Sequence, residues 1–166
     1  MNNKARQEQL KQRLTHQRSI LLNLLANLDE ADWQTAVFPD DVDIDPPWTV
    51  ADLVSHLADA EQSMTRLMAQ IRAGGAGAPA DFDVNRWNNS RRAQNSHKSP
   101  AARLQDLANS RTALFEFIDS LSAADLAKAG RHGNLKVMNI DQICILIAGH
   151  DKLHTADIKR TMDGGR

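Results

Sequence analysis

The sequence predicts an all-α protein: a four-helix bundle with long connections and one short extra helix. Three observations predict this class. Leucine and alanine are plentiful, aromatic residues make up only 4% of the chain, and tyrosine is absent, so good helix formers dominate. Apolar residues recur three and four positions apart in four long segments. Alternating β-branched runs, the mark of a half-buried strand, are hard to find.

The first segment runs from about Lys4 to Leu28, with Leu10, Leu14, Leu21, Leu24 and Leu28 on one stripe. It gives way to an acidic loop in which Pro39, Pro46 and Pro47 cannot continue a helix. The second helix begins near Thr49, an N-cap with Asp52 three residues on, which is a capping-box variant. Its stripe is Val50, Leu53, Leu57, Ala60, Met64, Leu67 and Ile71, and "AGGAGAP" ends it. The polar stretch 81 to 98 carries a short helix around Trp87. The third main helix starts at Ser99 with proline at its first helical position, and carries Leu104, Leu107, Leu114, Ile118 and Leu121. A short helical turn and the break "GRHGN" lead to the last helix, about Asn139 to Met162. The connections 29 to 48 and 73 to 98 are long, so a simple up-down-up-down order is not dictated.

The expected organisation is a single domain, residues 1–166, long enough to bury a core without staples. Twenty basic residues against twenty-one acidic ones give a formal charge of −1, which argues against nucleic acid or an anionic membrane as the main partner. The basic cluster "RRAQNSHK", residues 91 to 98, reads as a solvated loop face. The polar opening "MNNKARQEQLKQR" offers no signal peptide, and no stretch approaches the ~20 apolar residues of a membrane span. The lone cysteine, Cys144, has no partner for an internal disulfide, which fits a reducing, cytoplasmic setting.

The last helix holds the first functional signal. Its apolar seam of Ile140, Ile143 and Ile147 continues in steps of three and four through His150, His154 and Ile158. Two histidines thus replace core residues, stacked one turn apart on the same face. A buried imidazole left unsatisfied costs roughly 1–3 kcal/mol. A His-x-x-x-His pair alone is weak evidence for a metal, but His56 sits beside the stripe of the second helix and can point inward from a neighbouring element. Three histidines from two helices form a metal set that leaves a position open, as a catalytic ion requires. His16 flanks the first helix's stripe, while His97 and His132 fall in polar loops.

With these residues in hand, the chain resembles the DinB-like superfamily, which includes the YfiT-type proteins and bacterial thiol transferases. The resemblance is carried by "PPWTVADLVSHLADAE", by "GRHGNLKVMNIDQICILIAGHDKLHTADI" and by the intervening "FDVNRWNNSRRAQNSHKSPAARLQDL". These cover nearly all of the chain after the first helix. The resemblance implies a four-helix bundle, often a homodimer, with a divalent metal on three histidines: His56, His150 and His154, none of them substituted. Zinc or nickel leads as the ion, with iron, manganese or copper behind. It further implies a small-molecule substrate and, in some members, a low-molecular-weight thiol partner. DNA binding is not implied.

Such an ion can activate water for hydrolysis or a thiol for S-transfer, and the triad alone does not separate the two. The expected function is a metal-dependent thiol S-transferase or hydrolase; the alternative is a non-catalytic dimeric bundle with a structural or vestigial metal. Asp59, one turn after His56, is the one catalytic candidate, able to orient a ligand or accept a proton; its plainer reading is a solvated helix acid. Asp151 falls about 100° off the ligand face and reads as an ion-pairing surface group. Cys144 reads as a small core residue. Arg111 occupies a stripe position, where it could greet an anionic substrate or snorkel to the bundle end. Trp48 and Trp87 are expected at the bundle's ends or a dimer contact, with substrate lining the lesser reading.

Overall fold

The computed structural model describes residues 2–37 and 46–164. Pro39, one of the three prolines expected to break the first loop, lies outside the described residues. Four long helices form the bundle: α1 (Asn3–Leu25), α3 (Val50–Arg72), α5 (Pro100–Asp119) and α7 (Ile140–Gly164). Shorter helices α2 (Glu30–Trp33), α4 (Val84–Asn95) and α6 (Ala123–Ala127) sit in the connections. α3 packs on α5 and on α7, whereas α1 packs mainly on α7, the last element, instead of on its chain neighbour.

Each start is written locally. At α3 the Thr49 hydroxyl accepts from the Asp52 N–H (3.1 Å) and the Asp52 carboxylate accepts from the Thr49 N–H (3.0 Å), a complete capping box. Ser99 caps α5 ahead of Pro100, as its sequence predicts. α1 stops at Leu25, three residues before the expected end, because Asp29 opens α2 with its own capping box to Asp32. That short helix inside the acidic loop was not expected.

The all-α expectation holds for the bundle and needs one addition. Residues 129 to 139 form a hairpin of two three-residue strands, β1 (Ala129–Arg131) and β2 (Val137–Asn139), antiparallel with Gly130 opposite Met138. Its turn holds Leu135 at φ 67°. The hairpin is tied to the segment after α3: Ala78 N–H donates to Arg131 O (2.7 Å) and Arg131 N–H to Ala76 O (2.8 Å). Gly77, at φ +89°, lies where a side chain would press into the Arg131 backbone, and a Cβ at Gly130 would come within 2.6 Å of Ile71 Cγ1.

The core divides into two apolar clusters. One gathers Leu10, Leu14, Met68, Leu114, Ile143 and Ile147; the other Leu21, Leu53, Leu57, Leu107 and Ile158. Between them lies a buried ionic layer with one charge from each long helix: Arg18 (5% exposed), Glu61 (1%), Arg111 (8%) and Asp151 (1%). Arg18 reaches Asp151 (3.0 and 3.1 Å) and Glu61 (2.9 Å); Arg111 reaches Glu61 (2.7 Å) and Asp151 (2.8 Å). Their remaining guanidinium donors go to Leu107 O (3.0 Å) and Leu14 O (2.6 Å), and Ser110 Oγ donates to Glu61 (2.9 Å). Two positive and two negative charges with their lone pairs filled make the layer tolerable in the interior. It corrects two expectations. Asp151 is an ion-pairing residue of the core, not of the surface, and Arg111 neither greets a substrate nor snorkels.

Candidate metal centre

α3 supplies His56 and α7 supplies His150 and His154, and the packing of these two helices brings the three rings together. His150 Nε2 lies 3.1 Å from His56 Nε2 and 3.0 Å from His154 Nε2. One ring nitrogen of each lies within 4.8 Å of the other two, a group that could hold a metal ion. Burial pushes His56 down to about 4, with His154 adding to the shift, and pushes His150 down to about 3, with His56 and His154 adding. Burial also lowers His154, against the pull of Asp157. All three are therefore neutral near pH 7, the form that ligates metal.

The donor set fits a cation better than it fits a hydrogen-bonded triad. His150 Nε2 faces two other ring nitrogens, yet a ring nitrogen carries either one proton or one lone pair, so both contacts cannot be good hydrogen bonds. A cation among three lone pairs satisfies all of them. Tetrahedral zinc on imidazoles sets ligand nitrogens about 3.3 Å apart, a few tenths of an ångström beyond the two separations measured from His150 Nε2. His154 Nδ1 lies 3.1 Å from Asp157 Oδ2, so Nδ1 keeps the proton and donates it to the carboxylate while Nε2 presents its lone pair. The sequence reading missed Asp157; its signal was an acid three residues beyond a proposed ligand histidine.

The other singled-out residues fall elsewhere. Asp59 is buried, but its two oxygens accept from Arg91 (2.5 Å) and Asn95 (2.6 Å) on α4, and no described hydrogen bond joins it to a histidine. It is neither a solvated acid nor a histidine's partner; it fastens α4 to α3. The basic cluster is likewise built into the structure: Arg92 bonds Asp52 (3.0 Å) and the carbonyls of Pro46 and Pro47, and Lys98 pairs with Asp106 (2.6 Å). Trp48 directly precedes the N-cap of α3, and Trp87 lies in α4. Both meet His56 edge to face, at centroid distances of 5.2 and 6.5 Å. Cys144 is 1% exposed in the core against Met68, as expected, and burial pushes its thiol up to about 12. His16 and His97 are exposed.

A cavity of about 450 Å³ opens beside the triad, with His56, His150 and Trp87 in its wall. The fourth histidine in this region, His132 of the hairpin, lines it too. So does Asn88, whose buried Oδ1 has no hydrogen-bond partner among the described residues. An open groove of about 700 Å³, bordered by Lys136, Gln142 and Leu153, meets the cavity at His150, Leu146 and Asn134.

Fold and site together define a helical bundle with a three-histidine cluster between two of its long helices. The DinB superfamily model matches residues 13–158, and the chain belongs to that superfamily. Its fold is similar to that of YfiT from Bacillus subtilis, described as a probable metal-dependent hydrolase with an unusual four-helix bundle topology (TM-score 0.74, 18% identity, 93% of this chain and 85% of that one). It is also similar to a mycothiol-dependent maleylpyruvate isomerase (TM-score 0.72, 18% identity, 90% of this chain). This chain spans 60% of that protein's length. A third likeness is to TT2238, a four-helix bundle protein (TM-score 0.66, 19% identity, 93% of this chain and 98% of that one). At such identities the likeness establishes the fold. No curated protein matches the chain. Among the described residues no helix is long and apolar enough to cross a membrane.

Proposed function

We propose that this chain is a metal-dependent enzyme in which His56, His150 and His154 hold one divalent ion, zinc or nickel first. The observation that carries the reading is the convergence of three neutral imidazole nitrogens beside a cavity large enough for a small molecule. A divalent ion there supplies Lewis acidity, turning water or a thiol into a strong nucleophile near neutral pH. The chain's own residues do the rest. His154 is oriented by Asp157, and the two tryptophans flank His56.

Between hydrolysis and S-transfer, the two openings favour transfer. The cavity and the groove meet at His150, which gives two molecules separate approaches to one centre. The partner is then a low-molecular-weight thiol, and the protein a single-domain cytoplasmic homodimer. Chelation followed by metal return tests the reading. Thiol-dependent turnover of a small electrophile should vanish with chelator and come back with the ion. Ester hydrolysis that needs metal and no thiol would move the reading to a hydrolase. A chelator-induced loss of thermal stability without turnover in either assay would leave a non-catalytic bundle with a structural metal.

A further inference from the structure

Eighteen of the described residues line the cavity beside the triad, and not one of them is Asp, Glu, Lys or Arg. In a chain that is 25% charged, that is a selective surface. Its wall is built from α3, the segment after it, α4 and α7, through Met64, Leu67, Phe82, Trp87 and Leu146. A carboxylate or ammonium entering such a space leaves its water without meeting an opposite charge from the protein, a penalty of several kcal/mol. An uncharged apolar molecule meets no such penalty and gains the burial of its surface.

Among the polar groups in the wall, which include Ser63, Gln70, Asn88 and Asn134, His132 is the informative one. His132 stands at the end of β1, and the hairpin turn fixes it on both sides of its backbone: its N–H donates to Lys136 O and its carbonyl accepts from Leu135 N–H, each at 2.8 Å. The ring is fixed too, since Nδ1 accepts from the Asn134 N–H at 3.2 Å. An Nδ1 that accepts obliges the neutral imidazole to carry its proton on Nε2. No described hydrogen bond uses that Nε2–H. The cavity therefore offers mainly apolar walls, no fixed charge among its described lining residues, and a donor held by the hairpin on the same space that His56 and His150 line.

We propose that the wall of the cavity, away from the three-histidine cluster, takes an uncharged, largely apolar substrate body bearing a carbonyl-type oxygen, and that Nε2–H of His132 donates a hydrogen bond to that oxygen. This rests on the reading of the site as an active centre, but its test does not need the ion. The full-length protein, freed of metal by chelator and dialysis, is titrated calorimetrically with methyl naphthoate, with naphthoate and with ethylnaphthalene. The ester should bind at least about tenfold more tightly than the carboxylate, which finds no countercharge. His132→Ala should weaken the ester about fivefold, the scale of one net hydrogen bond, and leave the hydrocarbon unchanged. His132→Gln, which returns an N–H at a similar reach, should recover most of the loss. Carboxylate binding as tight as that of the ester would overturn the proposal, as would no ester binding. So would an equal loss of ester and hydrocarbon in His132→Ala, since that marks a change of shape alone. The ester-to-carboxylate ratio is read on the unmodified chain, so a variant that fails to fold does not rescue the idea. Failure of the metal reading shows separately, as absence of metal in the untreated protein.

Discussion

At the scale of single residues, Asp157 does most to decide how the triad presents itself. Its carboxylate accepts from His154 Nδ1 at 3.1 Å and so sets which nitrogen faces the other two histidines. Carboxylates in this position hold ligand imidazoles in one tautomer, and their loss typically weakens metal binding 10–100-fold. Asp157→Ala should therefore lower affinity for zinc by about that factor in a competition titration with a chromophoric chelator, with the helical circular dichroism unchanged. Affinity within twofold of the parent would remove Asp157 from the site. The three histidines were legible in the sequence because they occupy or flank apolar stripes, where an imidazole has to be satisfied. Asp157, Trp48, Trp87 and His132 were not. They come to the cluster through tertiary packing or through a turn, and neither leaves a period in the sequence.

At the scale of elements, the long helices and the caps of α3 and α5 were legible, because stripe and cap are both local. The hairpin was not: its strands are three residues long, too short to alternate, and the Gly-rich break reads equally well as a loop. What holds it is the close passage of residues 76 to 78 along Arg131, and that passage depends on Gly77. Gly77→Ala forces a side chain into the left-handed region and against backbone, and should cost about 2 kcal/mol or more. Gly74→Ala has a similar φ but open space around its Cβ, and should cost about 1 kcal/mol. Urea denaturation of the two variants checks the difference; equal midpoints would mean that the hairpin is not anchored there.

At the scale of the whole molecule, two apolar clusters are separated by the Arg18, Glu61, Arg111 and Asp151 layer. The layer was half legible. Arg111 stood out as a charge on a stripe, and Arg18 between Leu14 and Leu21, or Glu61 four residues after Leu57, follow the same pattern. Their pairing across four helices was not, since it needs the helix arrangement. Removing one partner leaves buried charge uncompensated, so Glu61→Ala should destabilise the fold by about 3–5 kcal/mol in urea unfolding. A cost under about 1 kcal/mol would show the layer to be solvated. Asp151 lies in this layer and is adjacent in chain to His150, so the core and the proposed centre share one stretch of α7.

The central claim is that three histidines of α3 and α7 hold one ion. Elemental analysis of the purified chain tests it most directly, beside a His150→Ala, His154→Ala double variant that keeps its helical content. The account predicts about one equivalent of a divalent metal per parent chain and a negligible amount in the variant. Negligible metal in both, even after incubation with zinc or nickel and removal of the excess, would contradict it.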